Sequence, residues 1–414
     1  MNKEAFFHSA KKPLDIANSN LVCNDLACNV NNHIHTTYSF SPYTPTQAVQ
    51  MAKNSGLATA GIMDHDSVGG LHEFIAAGRD IGIATTVGFE CRANFADTPF
   101  AGRRINNPDQ DSVGYLAMHG IPHDKIDAAE AFLAPYRKAR NLRNRAMTKK
   151  LDALIRSVGL AIDFDTDVVP LSRNDDGGSI TERHILYALA GKIVEKIGAG
   201  SGVVTFLKES FSIDVTGNNL EKLNNPESNW YQYYLLGVLK GHLVKDFYIN
   251  ADAELPRPAD FIALANDIGA IPAYAYLGDV GDSVTGDKRA QAFEDAYLDE
   301  LADFLATTGF KAITYMPTRN THAQLKRVME LCDRHGLFQI CGEDINTPFQ
   351  LFVCEALKQD EYRHLIASAW ALVGHEKFAT DSGLGMFSQE IINKYPELDA
   401  RIAYFAEIGR KVNA

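Results

Sequence analysis

Long apolar runs are missing from the 414-residue sequence. None approaches the roughly 18–20 apolar residues that a membrane-spanning helix needs, so we expect no contact with a membrane. The first 20 residues, MNKEAFFHSAKKPLDIANSN, also lack the continuous apolar segment of a signal peptide. Cysteine is scarce, with six residues and no C-x-x-C pair, which excludes a disulfide scaffold and favours a reducing cytoplasm.

Positive charge is in deficit. Lys and Arg total 40 against 52 Asp and Glu, which gives a formal net charge of −12. A nonspecific nucleic-acid surface needs clustered cations, so we expect no nucleic-acid partner beyond a short oligonucleotide. A small anionic substrate stays possible because bound metal ions can reverse the local field. The sequence leaves the oligomeric state open.

Short apolar runs alternate with helical patterns in two separate stretches of the chain. The runs predicted as strands after the first H-x-H motif are 57–63, 83–90, 270–276, 311–316 and 337–344. This alternation predicts parallel strands, in either a barrel or a doubly wound sheet. Residues 126–249 are mostly helical with few strand signals, and we interpret them as an insertion.

Two histidines begin the set of candidate metal ligands. His33 and His35 flank one residue of a predicted strand, and alternate strand residues point to the same face. Two imidazoles on one face can chelate a cation such as zinc, manganese or iron. An isolated H-x-H pair is more often two surface histidines at the start of a loop.

Three further metal-competent residues follow the apolar run 57–63. They are Asp64, His65 and Asp66. Capping of the next helix by Asp66 or Ser67 is the alternative interpretation, but it leaves His65 unexplained.

Two more strand ends carry polar groups. Glu90 ends the run 83–90, where solvation of a strand end is the alternative. Asp344 and Asn346 follow the last run, where an ordinary turn is the alternative. All of these groups lie at the C-terminal ends of predicted parallel strands, where α/β barrels build their active sites.

These motifs, taken in order, resemble the PHP-domain (polymerase and histidinol phosphatase) family of metal-dependent phosphoesterases. The segments that carry the resemblance are HIHTTYSFSPYTPTQAVQMAKNSGLATAGIMDHDSVGG, GFE, SITERHILYALAG and ITYMPTRNTHAQLKRVMELCDRHGLFQICGEDIN. The resemblance covers most of residues 31–125 and 250–350. It implies an α/β fold, a distorted (β/α)7 TIM-like barrel with a mostly helical insertion.

The resemblance also implies a division of the chain. Residues 31–125 and 250–355 would form the barrel, and 126–249 a helical insertion that covers its mouth. Residues 1–30 would be an N-terminal arm, and 356–414 a C-terminal helical segment.

One to three divalent metal ions (Zn, Mn or Fe) are the cofactors that the resemblance implies. The residues that match its ligand positions are His33, His35, His65, Glu90 and Asp344, with Asn346 in place of the closing histidine. Asp64, Arg183, His184 and Arg319 would serve catalysis. The two arginines would contact phosphate, and His184 would contact substrate or act as a general acid.

Several positions depart from the family pattern. Phe40 and Ser41 stand where a ligand Asp or His is common, and Tyr276 stands where the family has a histidine. The ligand histidine expected after G-x-E is not evident, and only Tyr115 or His119 is at hand.

Two functions from different classes follow from these matches and departures. The first is hydrolysis of a nucleotide or other small phosphate ester by a metal-activated water. The second is a non-catalytic barrel that binds a metal ion and a phosphate ligand at a degenerate site. Hydrolysis of a non-phosphate bond is a third option, without specific support in the sequence.

A basic run in the insertion, between residues 137 and 150, could face an approaching phosphate. Its alternative is a solvated helix face.

Overall fold

A computed structural model of the chain describes residues 29–281 and 291–411. The predicted N-terminal arm, residues 1–30, lies outside the described residues except for its last two positions. Within the described ranges, none of the helices has the length and hydropathy to cross a lipid bilayer.

The sheet contains seven strands that are neighbours in chain order. They are β1 (Val30–Ile34), β2 (Thr59–His65), β3 (Ala84–Asn94), β4 (Val113–His119), β5 (Ile271–Ala275), β6 (Ala312–Tyr315) and β7 (Phe338–Cys341). The sheet nearly closes on itself because Ile34, at the end of β1, forms a parallel bridge with Ile345 beyond β7. The predicted distorted barrel is therefore confirmed.

Strand β4 departs from the all-parallel expectation. It runs antiparallel to both β3 and β5, whereas the other neighbouring pairs are parallel. The loop 95–112, and not a crossover helix, joins β3 to β4. An antiparallel partner needs no helical crossover, which explains why the alternating pattern missed this strand.

The described residues contain thirteen α-helices. They are α1 (Pro45–Asn54), α2 (Leu71–Ile81), α3 (Ile126–Ile155), α4 (Glu182–Ile197), α5 (Ser201–Phe211), α6 (Gly217–Asn224), α7 (Tyr231–Phe247), α8 (Pro258–Ile268), α9 (Leu298–Thr308), α10 (His322–His335), α11 (His364–Ser382), α12 (Gln389–Lys394) and α13 (Leu398–Lys411).

Local sequence explains where the barrel helices begin. Thr44 caps α1 in a reciprocal capping box with Gln47, and Pro45 fits the first turn. Helix α2 begins at Leu71 after Gly70. The alternative in which Asp66 or Ser67 caps this helix is therefore wrong.

Two hydrophobic clusters organise the interior. The larger one fills the barrel and includes helices α11 and α13. The second lies among helices α3 to α7, and its one buried member from outside residues 126–249 is Phe40. The chain boundaries assigned from the sequence stay a prediction.

Helix α11 is buried on nearly every side. It contacts β1, β2, β3 and β7, and its other face packs against α13. A Cβ added to Gly374 would lie 1.9 Å from the carbonyl oxygen of Phe405, so the two backbones touch. This packing makes the C-terminal helices part of the barrel core.

Candidate metal centre

The two histidines of H-x-H converge at the end of β1. His33 and His35 are 6% and 1% exposed, and their Nε2 atoms lie 3.2 Å apart. Two nitrogens that each bind zinc at about 2.1 Å with a tetrahedral angle stand about 3.4 Å apart. The observed separation matches two imidazoles that share one cation.

Two carboxylates, one from β3 and one from the segment after β7, complete this cluster. Glu90 Oε2 lies 3.8 Å from His33 Nε2, and Asp344 Oδ1 lies 3.2 Å from His35 Nε2. Ligand atoms of His33, His35 and Glu90 all lie within 4.8 Å of one another. The cluster therefore joins β1, β3 and the segment after β7.

Strand pairing explains why these distant residues meet. Parallel pairing of β2 with β3 sets His65 directly opposite Glu90. The bridge between Ile34 and Ile345 brings the segment after β7 against the end of β1. Gly342 permits this approach, since a Cβ there would lie 2.6 Å from the Cβ of His33.

His65 extends the cluster on the far side of Glu90. Its Nδ1 lies 3.0 Å from Glu90 Oε2, and its ring stacks on that of His35 with a centroid distance of 4.6 Å. The same carboxylate oxygen thus faces both His33 and His65. This is the position of a carboxylate that could bridge two cations.

Burial sets the protonation of these groups. Burial lowers the pKa of His33 and raises that of Glu90. Burial, with the charges of His35 and Arg140, lowers the pKa of His65 to about 3. A neutral imidazole keeps the lone pair that a metal ion requires.

The pair His35–Asp344 behaves differently. Burial opposes the charge on His35, but the hydrogen bond to Asp344 and the charges of nearby carboxylates together outweigh burial and raise the pKa of the imidazole. Burial likewise opposes the charge on Asp344, but His35 and the nearby imidazoles hold the pKa of that carboxyl well below its usual range. A carboxylate that stays ionised suits a cation ligand.

Asp64 lies behind the ligands. Its carboxylate accepts hydrogen bonds from the Thr36 backbone N–H at 2.6 Å, from Thr36 Oγ1 at 2.5 Å and from Ser39 Oγ at 2.6 Å. Ser39 Oγ also lies 3.3 Å from His35 Nδ1. Asp64 therefore orients the β1 loop and, through Ser39, the ring of His35.

Two of the positions that depart from the family pattern have other partners. Tyr276 donates from its hydroxyl to Asp295 Oδ1 at 2.6 Å. Asn346 donates from Nδ2 to Asp344 Oδ1 at 2.6 Å, so its nitrogen faces the cluster in this orientation.

The two residues considered for the missing histidine lie on β4. Tyr115 stands beside His65, with ring centroids 5.7 Å apart. His119 is buried, and burial lowers its pKa to about 3. Among the described His, Cys, Asp and Glu side chains, His119 is not in the group that could hold a metal ion.

Arg183 and His184 lie in the first turn of α4, in residues 126–249. His184 Nδ1 accepts from the Thr181 backbone N–H at 3.0 Å, so the proton of the neutral ring sits on Nε2. Burial, with Arg140, lowers the pKa of His184 to about 3. A neutral ring that donates through Nε2 favours substrate contact over the role of general acid.

Arg319 lies elsewhere, in the segment between β6 and α10. Its Nε donates to the carbonyl oxygen of Leu277 at 3.3 Å. This bond ties it to the end of β5.

The basic run of α3 contributes a buried row that sequence reasoning missed. Arg137, Arg140 and Arg143 are each less than 10% exposed, and their spacing of three residues places them on one helix face. They pair with Glu130, Asp66 and Glu254 respectively. This part of the run is neither a solvated face nor open to an approaching phosphate.

Arg140 connects the insertion to the candidate metal-ligand side chains. It forms a buried ion pair with Asp66, and its charge lowers the pKa of both His65 and His184. Both histidines therefore lie within electrostatic reach of one guanidinium. The helix spacing signalled the shared face, but nothing local identified Asp66 as the partner.

Comparison with known proteins agrees with this geometry. A family model described as the PHP domain matches residues 31–194. No curated protein matches the chain.

Two solved structures share the fold. One is a "putative metal-dependent phosphoesterase" from Bifidobacterium adolescentis, with 19% identity, a TM-score of 0.52, and coverage of 82% of this chain and 96% of that one. The other is an amidohydrolase from Chromobacterium violaceum with bound sulfate and no metal, with 21% identity, a TM-score of 0.52 and the same coverage of 82% and 96%.

The fold is an α/β barrel whose strand ends carry a cluster of side chains that could hold a metal ion. Residues 31–194 match the PHP-domain model, in agreement with the order of motifs in the sequence.

Proposed function

We propose that the chain is a metal-dependent phosphoesterase that hydrolyses a nucleotide or another small phosphate ester. The observation that carries this proposal is the convergence of His33, His35 and Glu90 within 4.8 Å at the strand ends of the barrel. Nitrogen and carboxylate ligands in this arrangement suit zinc, manganese or iron.

The ligand set fits at least one ion. His33, His35, Glu90 and Asp344 offer two nitrogens and two carboxylates, and His65 offers a third nitrogen beyond Glu90. When bound, such an ion supplies a Lewis acid and a water of lowered pKa. The lowered pKa values of the His33 and His65 imidazoles and of the Asp344 carboxyl favour the forms that bind a cation.

The insertion supplies the other half of the proposed reaction. Arg183 would neutralise charge on phosphate oxygens, for which a planar guanidinium is well shaped. His184 would donate a hydrogen bond from Nε2, since Thr181 occupies its Nδ1. Asp64 would keep His35 oriented through Ser39.

A binding protein without turnover is the second candidate. The hydroxyl of Tyr276, at a family ligand position, is committed to Asp295, and Asn346 presents its nitrogen to Asp344. With fewer ligands the site would hold fewer metal ions. A single bound ion could bind the phosphate group of an ester without promoting its hydrolysis.

We further propose a reducing cytoplasm as the compartment and a small phosphorylated molecule as the partner. The four cysteines in the described residues are free and buried. This state suits a compartment where disulfides do not form.

Hydrolysis assays on metal-loaded protein distinguish the two candidates. The substrates are a panel of nucleotides, sugar phosphates and one amide, and the variants are His33→Ala and Glu90→Gln. The matched control is His72→Ala, which removes an exposed histidine of α2. We expect phosphate release by wild type and by the control, and its loss in the two ligand variants.

Two other results would change the assignment. Phosphate binding without release of product by wild type would establish the binding protein. Equal turnover by wild type and both ligand variants would contradict a role of this cluster in catalysis.

A further inference from the structure

Phe40 joins the barrel to the insertion. It follows β1 in a position where the family pattern has a ligand, yet it is 6% exposed and belongs to the apolar core of the insertion. Its ring contacts Tyr187 and Tyr233, each at a centroid distance of 5.7 Å. Its side chain therefore packs into the core of the other part of the chain.

The ring of Phe40 also restrains His184. The two rings meet edge to face at 90°, with centroids 4.9 Å apart. Edge-to-face pairs of this kind are favourable and directional. Together with the hydrogen bond from Thr181, this contact fixes the imidazole from two sides.

Arg183 stands over the same phenyl ring. Its guanidinium carbon lies 5.1 Å from the ring centroid, and its Nε is buried without a hydrogen-bond partner. The other six arginines of residues 126–249 each pair with a carboxylate. Within residues 29–281 and 291–411, Arg183 forms no such ion pair.

The choice of a phenyl ring has an electrostatic consequence. A carboxylate at this position would pair with Arg183 and cancel its charge. A phenyl ring attracts the cation through its quadrupole and carries no net charge. Arg183 is thus held in place while its full charge remains available to an anion.

We propose that Phe40 is a positioning residue that holds Arg183 and His184 as a receptor for the substrate's phosphate group. This inference rests on the proposed function, because it assigns the phosphate to the insertion side of the same site. It gives Phe40 a role that a metal ligand at this position could not fill.

Binding of inorganic phosphate to the metal-loaded full-length protein, measured by calorimetry, tests the proposal. Phe40→Leu and Phe40→Met remove the ring and keep an apolar side chain, whereas Phe40→Tyr keeps the ring. A cation–π contact at a desolvated site corresponds to a loss of affinity of about two- to thirtyfold in the ringless variants. We expect the tyrosine variant to bind phosphate within about twofold of wild type.

Phe164 offers a matched control in the same apolar core. Arg145 stands 4.7 Å from its ring centroid, but this arginine pairs with Asp165 at the surface. Phe164→Leu should lower the thermal midpoint much as Phe40→Leu does, because each removes a buried ring. It should leave phosphate affinity unchanged.

A double variant keeps the test decisive if one ringless variant folds poorly. In an Arg183→Gln background, Phe40→Met should produce a smaller further loss of phosphate affinity than in wild type, because the cation is already gone and only the contact with His184 is left to lose. Equal phosphate affinity in wild type and every Phe40 variant would overturn this inference alone. Failure of metal-loaded wild type to bind phosphate would overturn the proposed function as well.

Discussion

We expect the buried ion pair between Asp66 and Arg140 to contribute strongly to the free energy that holds the barrel and the insertion together. The two side chains are each 7% exposed, and Arg140 Nε has no hydrogen-bond partner. Asp66 has a φ of 51°, a conformation that asparagine also tolerates. Asp66→Asn therefore removes the charge without forcing the backbone to change.

The expected cost follows from leaving a buried cation without its partner. Removing one member of a buried pair typically costs about 3–5 kcal/mol. Arg137 still donates to the backbone carbonyl of Asp66 in the variant, so some of the contact survives. We therefore expect Asp66→Asn to lower the free energy of unfolding by about 3 kcal/mol, the lower end of this range.

Urea unfolding followed by tryptophan fluorescence measures this loss in each part of the chain. The sequence contains two tryptophans, Trp230 in the insertion and Trp370 in α11. A Trp370→Phe background reports the insertion, and a Trp230→Phe background reports the barrel end. Asp66→Asn should lower the unfolding midpoint in both backgrounds.

Two further variants test the reasoning. Asp165→Asn breaks the pair with Arg145, whose side chains are 58% and 50% exposed, and should change the midpoint far less. Asp66→Asn combined with Arg140→Met removes both charges and should be less destabilised than Asp66→Asn alone. A midpoint for Asp66→Asn equal to that of Asp165→Asn would refute the argument.

Three more expectations concern acid, a hydrogen bond and the metal. Burial lowers the pKa of His375 from 6.5 to about 4. The neutral form of His375 therefore contributes fully to the free energy of unfolding above pH 6.5, and this contribution is lost as pH falls towards 4. This contribution is about 3 kcal/mol, and His375→Gln should show a smaller acid-induced loss in urea titrations than wild type. Tyr276→Phe removes a hydrogen bond to the Asp295 carboxylate and should cost about 1.5–3 kcal/mol by the same method, with no change meaning that the bond is absent in solution. Chelation should lower the thermal midpoint of metal-loaded wild type but not of His33→Ala, since ligand binding at about 100 times Kd stabilises by about 2.7 kcal/mol.

The sequence predicted the barrel and the arrangement of the candidate ligands for a simple reason. Strand ends that carry polar groups stand out against short apolar runs, and parallel strands bring those ends to one edge. His33, His35 and Glu90 became candidates by this rule, and the resemblance to the PHP family then assigned them as ligands. The local sequence pattern therefore indicated which residues lie at the candidate site.

Other features depended on contacts that no local pattern contains. Strand β4 lacked a crossover helix, so the alternation rule passed over it. Phe40 and Arg140 were identified only as a departure and as part of a basic run, because their partners lie more than 70 residues away in the chain. Packing between barrel and insertion was the part that sequence reasoning could not supply.

Anomalous scattering from metal-loaded crystals, with elemental analysis of the same protein, would show whether a cation binds between His33, His35 and Glu90. We expect one to three ions, with at least one at about 2.0–2.2 Å from both His33 Nε2 and His35 Nε2 and from a Glu90 oxygen. Stoichiometric metal bound elsewhere, with no anomalous density between these three side chains, would contradict this expectation.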